Sequence, residues 1–286
     1  MIQGKKNIIY SGANHRRSVL DVFFNATQQP KPVVIFCHGY KGFKDWGAWD
    51  LVAKYFAQEG FFFLKFNFSH NGGTVEQPID FPDLNAFGEN NYSKELEDLD
   101  TIIDWISSPE NPFKEEVDPQ HISLIGHSRG GGIALLKAAY DKRVKSVVGW
   151  ASVSDYKTRF PKADALEQWK EEGVFYVSNG RTKQNMPHYL QFYEDFMANE
   201  SKLTIATAAR KLEIPYLIIH GTADEAVPLY EAKDLHQWAP GSVALYLDGA
   251  GHTFGTKHPW KEKEMSDHLS TVVFQSIAFL NTSQIL

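Results

Sequence analysis

Residues 121–140, "HISLIGHSRGGGIALLKAAY", constrain the fold more than any other stretch of this chain. "HISLIG" is a short β-rich apolar run, and "GGIALLKAAY" carries helix formers with apolar residues at helical spacing. Little chain separates them, so a strand must turn sharply into a helix around Ser128. Gly126, Gly130 and Gly131 are the residues that let strand and helix approach without side-chain collision. In such a turn the serine sits at the sheet's carboxyl edge in a strained backbone with its hydroxyl exposed, as a nucleophile requires. The competing reading is a Gly-rich helix start with Ser128 as a cap.

The rest of the chain alternates in the same way. "KNIIYSG" and "RRSVLDVFFNA" read as an early pair of strands, and "VVIFC" as a buried strand before the Gly-rich loop "HGYKGFKDWG". A helix over "AWDLVAKYFAQEG", a strand "FFFLKFNFS", a long loop and a helix "YSKELEDLDTIIDWISS" follow. After the Ser128 unit come strands "VKSVVGWAS", "YLIIHG" and "SVALYLDG", a helix "YEAKDLHQWA" and a C-terminal helix within "WKEKEMSDHLSTVVFQSIAFLN". Continuous apolar strands alternating with helices predict an α/β fold: a mostly parallel central sheet with helices on both faces. Residues 155–213 break the alternation. They are polar and aromatic, with helical pieces such as "ADALEQWKEEG" and "MPHYLQFYEDFMAN", and read as an inserted helical cap over the sheet's carboxyl edge. The expectation is one domain, 1–286, carrying that insertion.

Composition narrows the partners. A net charge of −6 with no long basic run argues against nucleic acid, and no apolar run approaches the length of a membrane span. "MIQGKKNIIY" lacks the apolar core of a signal peptide. The single cysteine, Cys37, ends an apolar strand and reads as a buried small hydrophobe. A cytoplasmic protein without a cofactor, acting on a small molecule, is the expectation.

A serine hydroxyl needs a base, an acid that orients the base, and donors for the oxyanion. Asp224 lies just beyond "YLIIHG", and His252 lies in the Gly-flanked loop after "SVALYLDG". Ser, Asp, His after successive strands is the order such a site predicts. Asp224 also reads as a turn residue, and Asp155, after "VKSVVGWAS", is a rival acid. His258 and His268 sit at a Pro turn and inside a helix, and His127 reads as packing against the sheet. The backbone N–H groups of Arg129, after the serine, and Tyr40, in "HGYKG", are the candidate oxyanion donors. His38 reads as organising that loop.

With "HGYKG", "GHSRG", "GTADEAVP" and "GAGHTF" in this order, the chain resembles the α/β-hydrolase superfamily over nearly its whole length. "HGYKGFKDWGAWDLVAKYFAQEGFFFLKFNFSHNG" and the insertion make it most similar to the branch of cinnamoyl (feruloyl) esterases, related to dienelactone hydrolases and prolyl oligopeptidase-like proteins. Dienelactone hydrolases proper use a cysteine nucleophile, whereas this chain has serine there. The resemblance implies a serine carboxylesterase with a catalytic Ser128, Asp224 and His252, and a cap shaping an aromatic acyl pocket. A small-substrate peptidase, a thioesterase and a non-catalytic binding protein on the same fold are the alternatives. Trp169, Phe175, Tyr176, Tyr189, Phe192, Tyr193 and Phe196 could shape that pocket, although packing the cap onto the body accounts for most of them equally well.

Overall fold

The computed structural model describes residues 1–283. Its strands are β1 (Ile2–Ser11), β2 (Arg17–Asn25), β3 (Lys31–Cys37), β4 (Phe62–Phe66) and β5 (Val117–His127). They continue with β6 (Val144–Trp150), β7 (Val174–Ser178), β8 (Asn185–Tyr189), β9 (Tyr216–Gly221) and β10 (Ser242–Leu247). Eight strands form one sheet in the order β1-β2-β4-β3-β5-β6-β9-β10. β2 runs antiparallel to both neighbours, and every pairing from β4 across to β10 is parallel.

The helices are α1 (Trp49–Gln58), α2 (Leu84–Gly88), α3 (Tyr92–Ser107), α4 (Arg129–Tyr140) and α5 (Asp164–Glu172). After them come α6 (Gln191–Ala198), α7 (Glu200–Leu203), α8 (Ile205–Lys211), α9 (Leu229–Trp238) and α10 (Asp267–Ser283). Successive strand residues serve opposite faces. Val33, Ile35 and Cys37 of β3 join α3, α4, α8 and α9 in one core, whereas Val34 and Phe36 join α1 and α10 in the other. α10 buries Leu269, Val272, Val273, Ser276, Ile277 and Leu280, the 3–4 spacing of a single helix stripe. No described helix is long and apolar enough to cross a membrane.

Two details differ from the sequence reading. "MPHY" is not helical: it is the second strand of a small antiparallel hairpin, β7–β8, that the helical pattern concealed. Pro187 within it has no N–H for a helix interior. The last part of segment 155–213, α8, contributes Ile205, Ala208 and Ala209 to the body's core alongside α4 and α9. The C-terminal helix starts at Asp267, within the expected stretch, where Ser266 accepts the first backbone bond, from Ser270.

A buried ionic cluster joins β2 and β4. Asp21 pairs across the strands with Lys65, and its carboxylate accepts from Lys44 and Lys65 at 2.8 Å each, all three side chains being inaccessible to solvent. Asp45 and Asp50 complete the set on the solvent side. Asp21, Asp45 and Asp50 could together ligate a metal, but two ammonium groups already lie between them and supply the positive charge.

Candidate active site

Ser128 stands between β5 and α4 with φ 57° and ψ −121°, a conformation that costs a non-glycine residue about 1–3 kcal/mol. The surroundings hold it there. Its N–H donates to the Trp150 carbonyl at 2.9 Å, and its carbonyl accepts from Gly131 and Val153. A Cβ on Gly126 would lie 2.2 Å from the Gly130 carbonyl oxygen, and one on Gly130 would lie 2.4 Å from the carbonyls of Cys37 and His38. Only glycine permits this approach of strand, helix and loop.

The three residues expected to act together are brought together. Ser128 Oγ is 3.0 Å from His252 Nε2, and His252 Nδ1 is 2.8 Å from Asp224 Oδ2. An ionised Asp224 is acceptor-only, so Nδ1 carries the proton and Nε2 offers its lone pair to the Ser128 hydroxyl. Asp224 Oδ1 accepts from the backbone N–H groups of Ala226 and Val227, each at 2.9 Å. Burial pushes the Asp224 carboxyl up, but His220, His252 and the Val227 N–H outweigh it and hold the pKa well below the ordinary range. The rival Asp155 caps a turn, accepting from the N–H groups of Lys157 and Thr158. His258 accepts from the Gly47 N–H, and His268 lies in α10.

Two further histidines brace this arrangement. His127 does more than pack: its Nε2 donates to the His252 carbonyl at 2.9 Å, and burial, then the nearby His252 ring, pushes its pKa down to about 3. It is therefore a neutral prop under the loop that carries His252. His220, at the end of β9, donates from Nε2 to the Val227 carbonyl at 2.7 Å and lies 3.4 Å from Asp224 Oδ2. Sequence reasoning passed over it as a strand residue. A histidine ending a buried strand four residues before the candidate acid was the available signal.

The two candidate oxyanion donors border the same cavity as Ser128 and His252. Arg129 opens α4, where a backbone N–H has no partner within the helix. Gly39 packs against Ser128, a Cβ there reaching 3.0 Å from the serine Cβ, and so holds the loop with Tyr40 against Ser128. His38 orders that loop as expected: its Nδ1 donates to the Gly39 carbonyl and its Nε2 accepts from the Phe68 N–H. Burial pushes its pKa down to about 4, which keeps it neutral.

The side chains of these two residues have roles the sequence did not announce. The Arg129 guanidinium pairs with buried Glu95 of α3 and lies 4.4 Å from the centre of the Tyr92 ring. The Tyr40 hydroxyl is hydrogen-bonded at 2.7 Å to Nε2 of His188 in β8, tying the His38–Gly42 loop to the hairpin. The cavity beside Ser128 measures about 490 Å3, and Phe160, Trp169, Phe175 and Phe192 from the insertion wall it. Of the other aromatic candidates, Tyr176 is exposed, Tyr189 bonds Asn85, and Phe196 and Tyr193 pack among rings of the core. A second cavity of about 290 Å3 also borders Ser128 and His252 and runs along the His38–Gly42 loop.

A family model described as alpha/beta hydrolase fold matches residues 32–184. An uncharacterised 31.7 kDa protein from the traX-finO intergenic region of Escherichia coli is 28% identical over 131 residues, 43% of this chain and 38% of that one. The chain thus spans well under half the length of that curated relative. Among solved structures, the esterase domain of a Rhodothermus marinus protein is similar, with a TM-score of 0.65 and 21% identity over 98% of this chain and 97% of that one. Est1E from Butyrivibrio proteoclasticus is similar as well, with a TM-score of 0.68 and 15% identity over 99% of each chain.

Proposed function

The chain belongs to the alpha/beta hydrolase fold family, and from that premise we propose that it is a serine hydrolase cleaving carboxylic esters through an acyl-enzyme. The observation that carries this reading is the continuous hydrogen-bond chain from Ser128 Oγ through both nitrogens of His252 to Asp224. His252 Nε2 takes the Ser128 proton as Oγ attacks the ester carbonyl. Charge gathers on the carbonyl oxygen, where the N–H groups of Tyr40 and Arg129 receive it. The tetrahedral intermediate expels the alcohol, which takes its proton from His252. Water then attacks the acyl-serine by the same route, releasing the acid and restoring the hydroxyl. Asp224 keeps the imidazole in the required tautomer and stabilises its charged form.

The part of segment 155–213 that precedes α8 acts as a cap in this reading, and the aromatic cavity beneath it takes the acyl group. Phe160, Trp169, Phe175 and Phe192 favour a short or flat aromatic acyl group over a long fatty chain. Cys37, buried and free, suits a cytoplasmic setting. Labelling by a fluorophosphonate probe and turnover of aryl acetates test the reading together. Ser128→Ala should abolish labelling and lower kcat/KM by about 10³-fold or more while the fold persists. A folded Ser128→Ala protein that keeps most of its activity overturns the assignment.

A further inference from the structure

The two cavities that meet at Ser128 and His252 share an electrostatic peculiarity. Their charged wall residues are Arg129 and Arg159 in the larger and Lys41 and Arg181 in the smaller, and among the described residues no Asp or Glu lines either one. The chain as a whole carries a net charge of −6, so the bias belongs to the site and not to the composition.

Three of these four cations already have a carboxylate. Arg129 has Glu95, Arg159 donates to both oxygens of Glu231, and Arg181 pairs with Asp80. Lys41 differs. Its ammonium donates to the Ser178 carbonyl at 2.8 Å and lies 5.0 Å from the centre of the Tyr40 ring. Among the described residues no carboxylate approaches it within 4 Å. Burial pushes its pKa down, the direction for a cation that has lost water without gaining an acid. Its backbone is held at φ 55°, a left-handed conformation unusual for lysine, so the loop keeps the residue in place at some cost. Lys41 lines the same cavity as Tyr40, Ser128 and His252, so an anion bound at Lys41 shares that cavity with the ester under attack.

Resting on the hydrolase reading of Ser128, we propose that the smaller cavity takes the alcohol half of the ester and that this half carries an anionic group, carboxylate or phosphate, paired with Lys41. Trp46 and Trp49 in the same cavity offer flat apolar surface to the body of that alcohol. The charge belongs on this side because an anion in the larger cavity must compete with Glu95 and Glu231, both buried and already bonded to their arginines. The reaction is otherwise unchanged: the alcohol leaves with a proton from His252 and with its own negative charge.

The test is a matched series of acetate esters of phenol, 4-carboxyphenol, 4-hydroxyphenyl phosphate and 4-(trimethylammonio)phenol, with phenyl hydrogen succinate placing the charge on the acyl side. Each kcat/KM is divided by the ester's own hydroxide-catalysed rate, which removes differences in leaving-group reactivity. The wild-type protein should favour the anionic alcohols over the neutral one by about tenfold and the cationic one least, with the preference shrinking as salt is added. Lys41→Met should bring the anionic-to-neutral ratio close to one, and Lys41→Arg should restore most of it. Carboxylate and phosphate are told apart by which of the two anionic acetates is favoured more. The proposal is overturned by a wild-type ratio near one, by a ratio that survives Lys41→Met, or by a preference that appears only with the succinate. Ser128-dependent turnover of phenyl acetate reports on the hydrolase reading separately; if that turnover and the fluorophosphonate label are both missing, that reading has failed and this inference falls with it.

Discussion

Asp224→Asn changes one oxygen into an amide nitrogen and should nearly silence the site. Asp224 Oδ1 accepts from two backbone N–H groups, those of Ala226 and Val227. An asparagine must put its carbonyl oxygen there, because turning its NH2 toward the two N–H groups would set donor against donor and leave the buried Val227 N–H unpaired, at about 1–3 kcal/mol. The NH2 then faces His252 Nδ1, now 2.8 Å from Asp224 Oδ2, and can only donate. Nδ1 must accept, so the imidazole proton moves to Nε2 and points at the Ser128 hydroxyl. In that tautomer His252 has no lone pair for the serine proton. Loss of the correct tautomer in such a triad costs about 10⁴-fold, or about 5.4 kcal/mol of transition-state stabilisation. The backbone bonds survive, so the melting temperature should move by only a few degrees. Asp155→Asn is the control: that carboxylate caps a turn, and kcat/KM should stay within about twofold. The measurement is kcat/KM for an aryl acetate alongside thermal melts of both variants. A folded Asp224→Asn protein that loses less than tenfold, or an Asp155→Asn protein that loses more, refutes the argument.

Other consequences follow from packing and protonation. Gly126→Ala places a methyl 2.2 Å from the Gly130 carbonyl oxygen, so the turn must distort; a loss of roughly 3 kcal/mol or more should appear as a melt lowered by at least about 5 °C, and an unchanged melt would contradict the elbow packing. Trp169→Ala opens the larger cavity and frees the His188 carbonyl that the indole N–H now binds, so kcat/KM should fall several-fold more for cinnamoyl than for acetyl esters of one alcohol; equal losses would remove Trp169 from the acyl site. In the wild type, palmitoyl esters should be the poorest of an acetyl, butyryl, cinnamoyl and palmitoyl series. Acid should unfold the protein steeply. Burial pushes His38 and His70 down to about 4 and His127 and His188 down to about 3, so between these values and about 6.5 the unfolded chain binds protons that the folded one refuses. Asp98, pushed up to about 7 by burial, takes a proton on folding in the same window and offsets one histidine. Their stabilising contribution is thus complete above pH 7 and falls by about 4 kcal/mol per pH unit near pH 5, three net protons at about 1.4 kcal/mol each. Melting temperatures from pH 7.5 to 5 read this out, and a flat profile would show that these rings are not excluded from protonation.

How much of this was legible depended on whether the information was local. "VVIFC" and "YLII" are short apolar runs of the kind a strand buried on both faces presents, and Ser128, Asp224 and His252 announce themselves by following strands in turn. β7 and β8 were hidden because "VFYVS" is only half-buried and "MPHY" merges with the helical spacing of "LQFYEDFMAN". Glu95 behind Arg129, His188 on Tyr40 and the solitary Lys41 were not legible, because partners drawn from different loops leave no periodic trace. Distance along the chain is not the whole explanation, as the ionic cluster shows. Asp21 stands inside "SVLDVFF" and Lys65 inside "FFFLKF", each the one charge within that mainly apolar run. Removing one partner from a buried ion pair costs about 3–5 kcal/mol, so two such strands in one sheet are strongly driven to put those charges opposite each other. That requirement alone selects the observed register, with Asp21 facing Lys65 and therefore Leu20 facing Phe66 and Val22 facing Leu64. A lone charge in an apolar strand is thus a pairing instruction, readable whenever a second strand carries its complement. Lys44 follows from the same reasoning: the other side of Asp21 also lacks water, and a second ammonium from the loop after β3 supplies the hydrogen bond that water would have made.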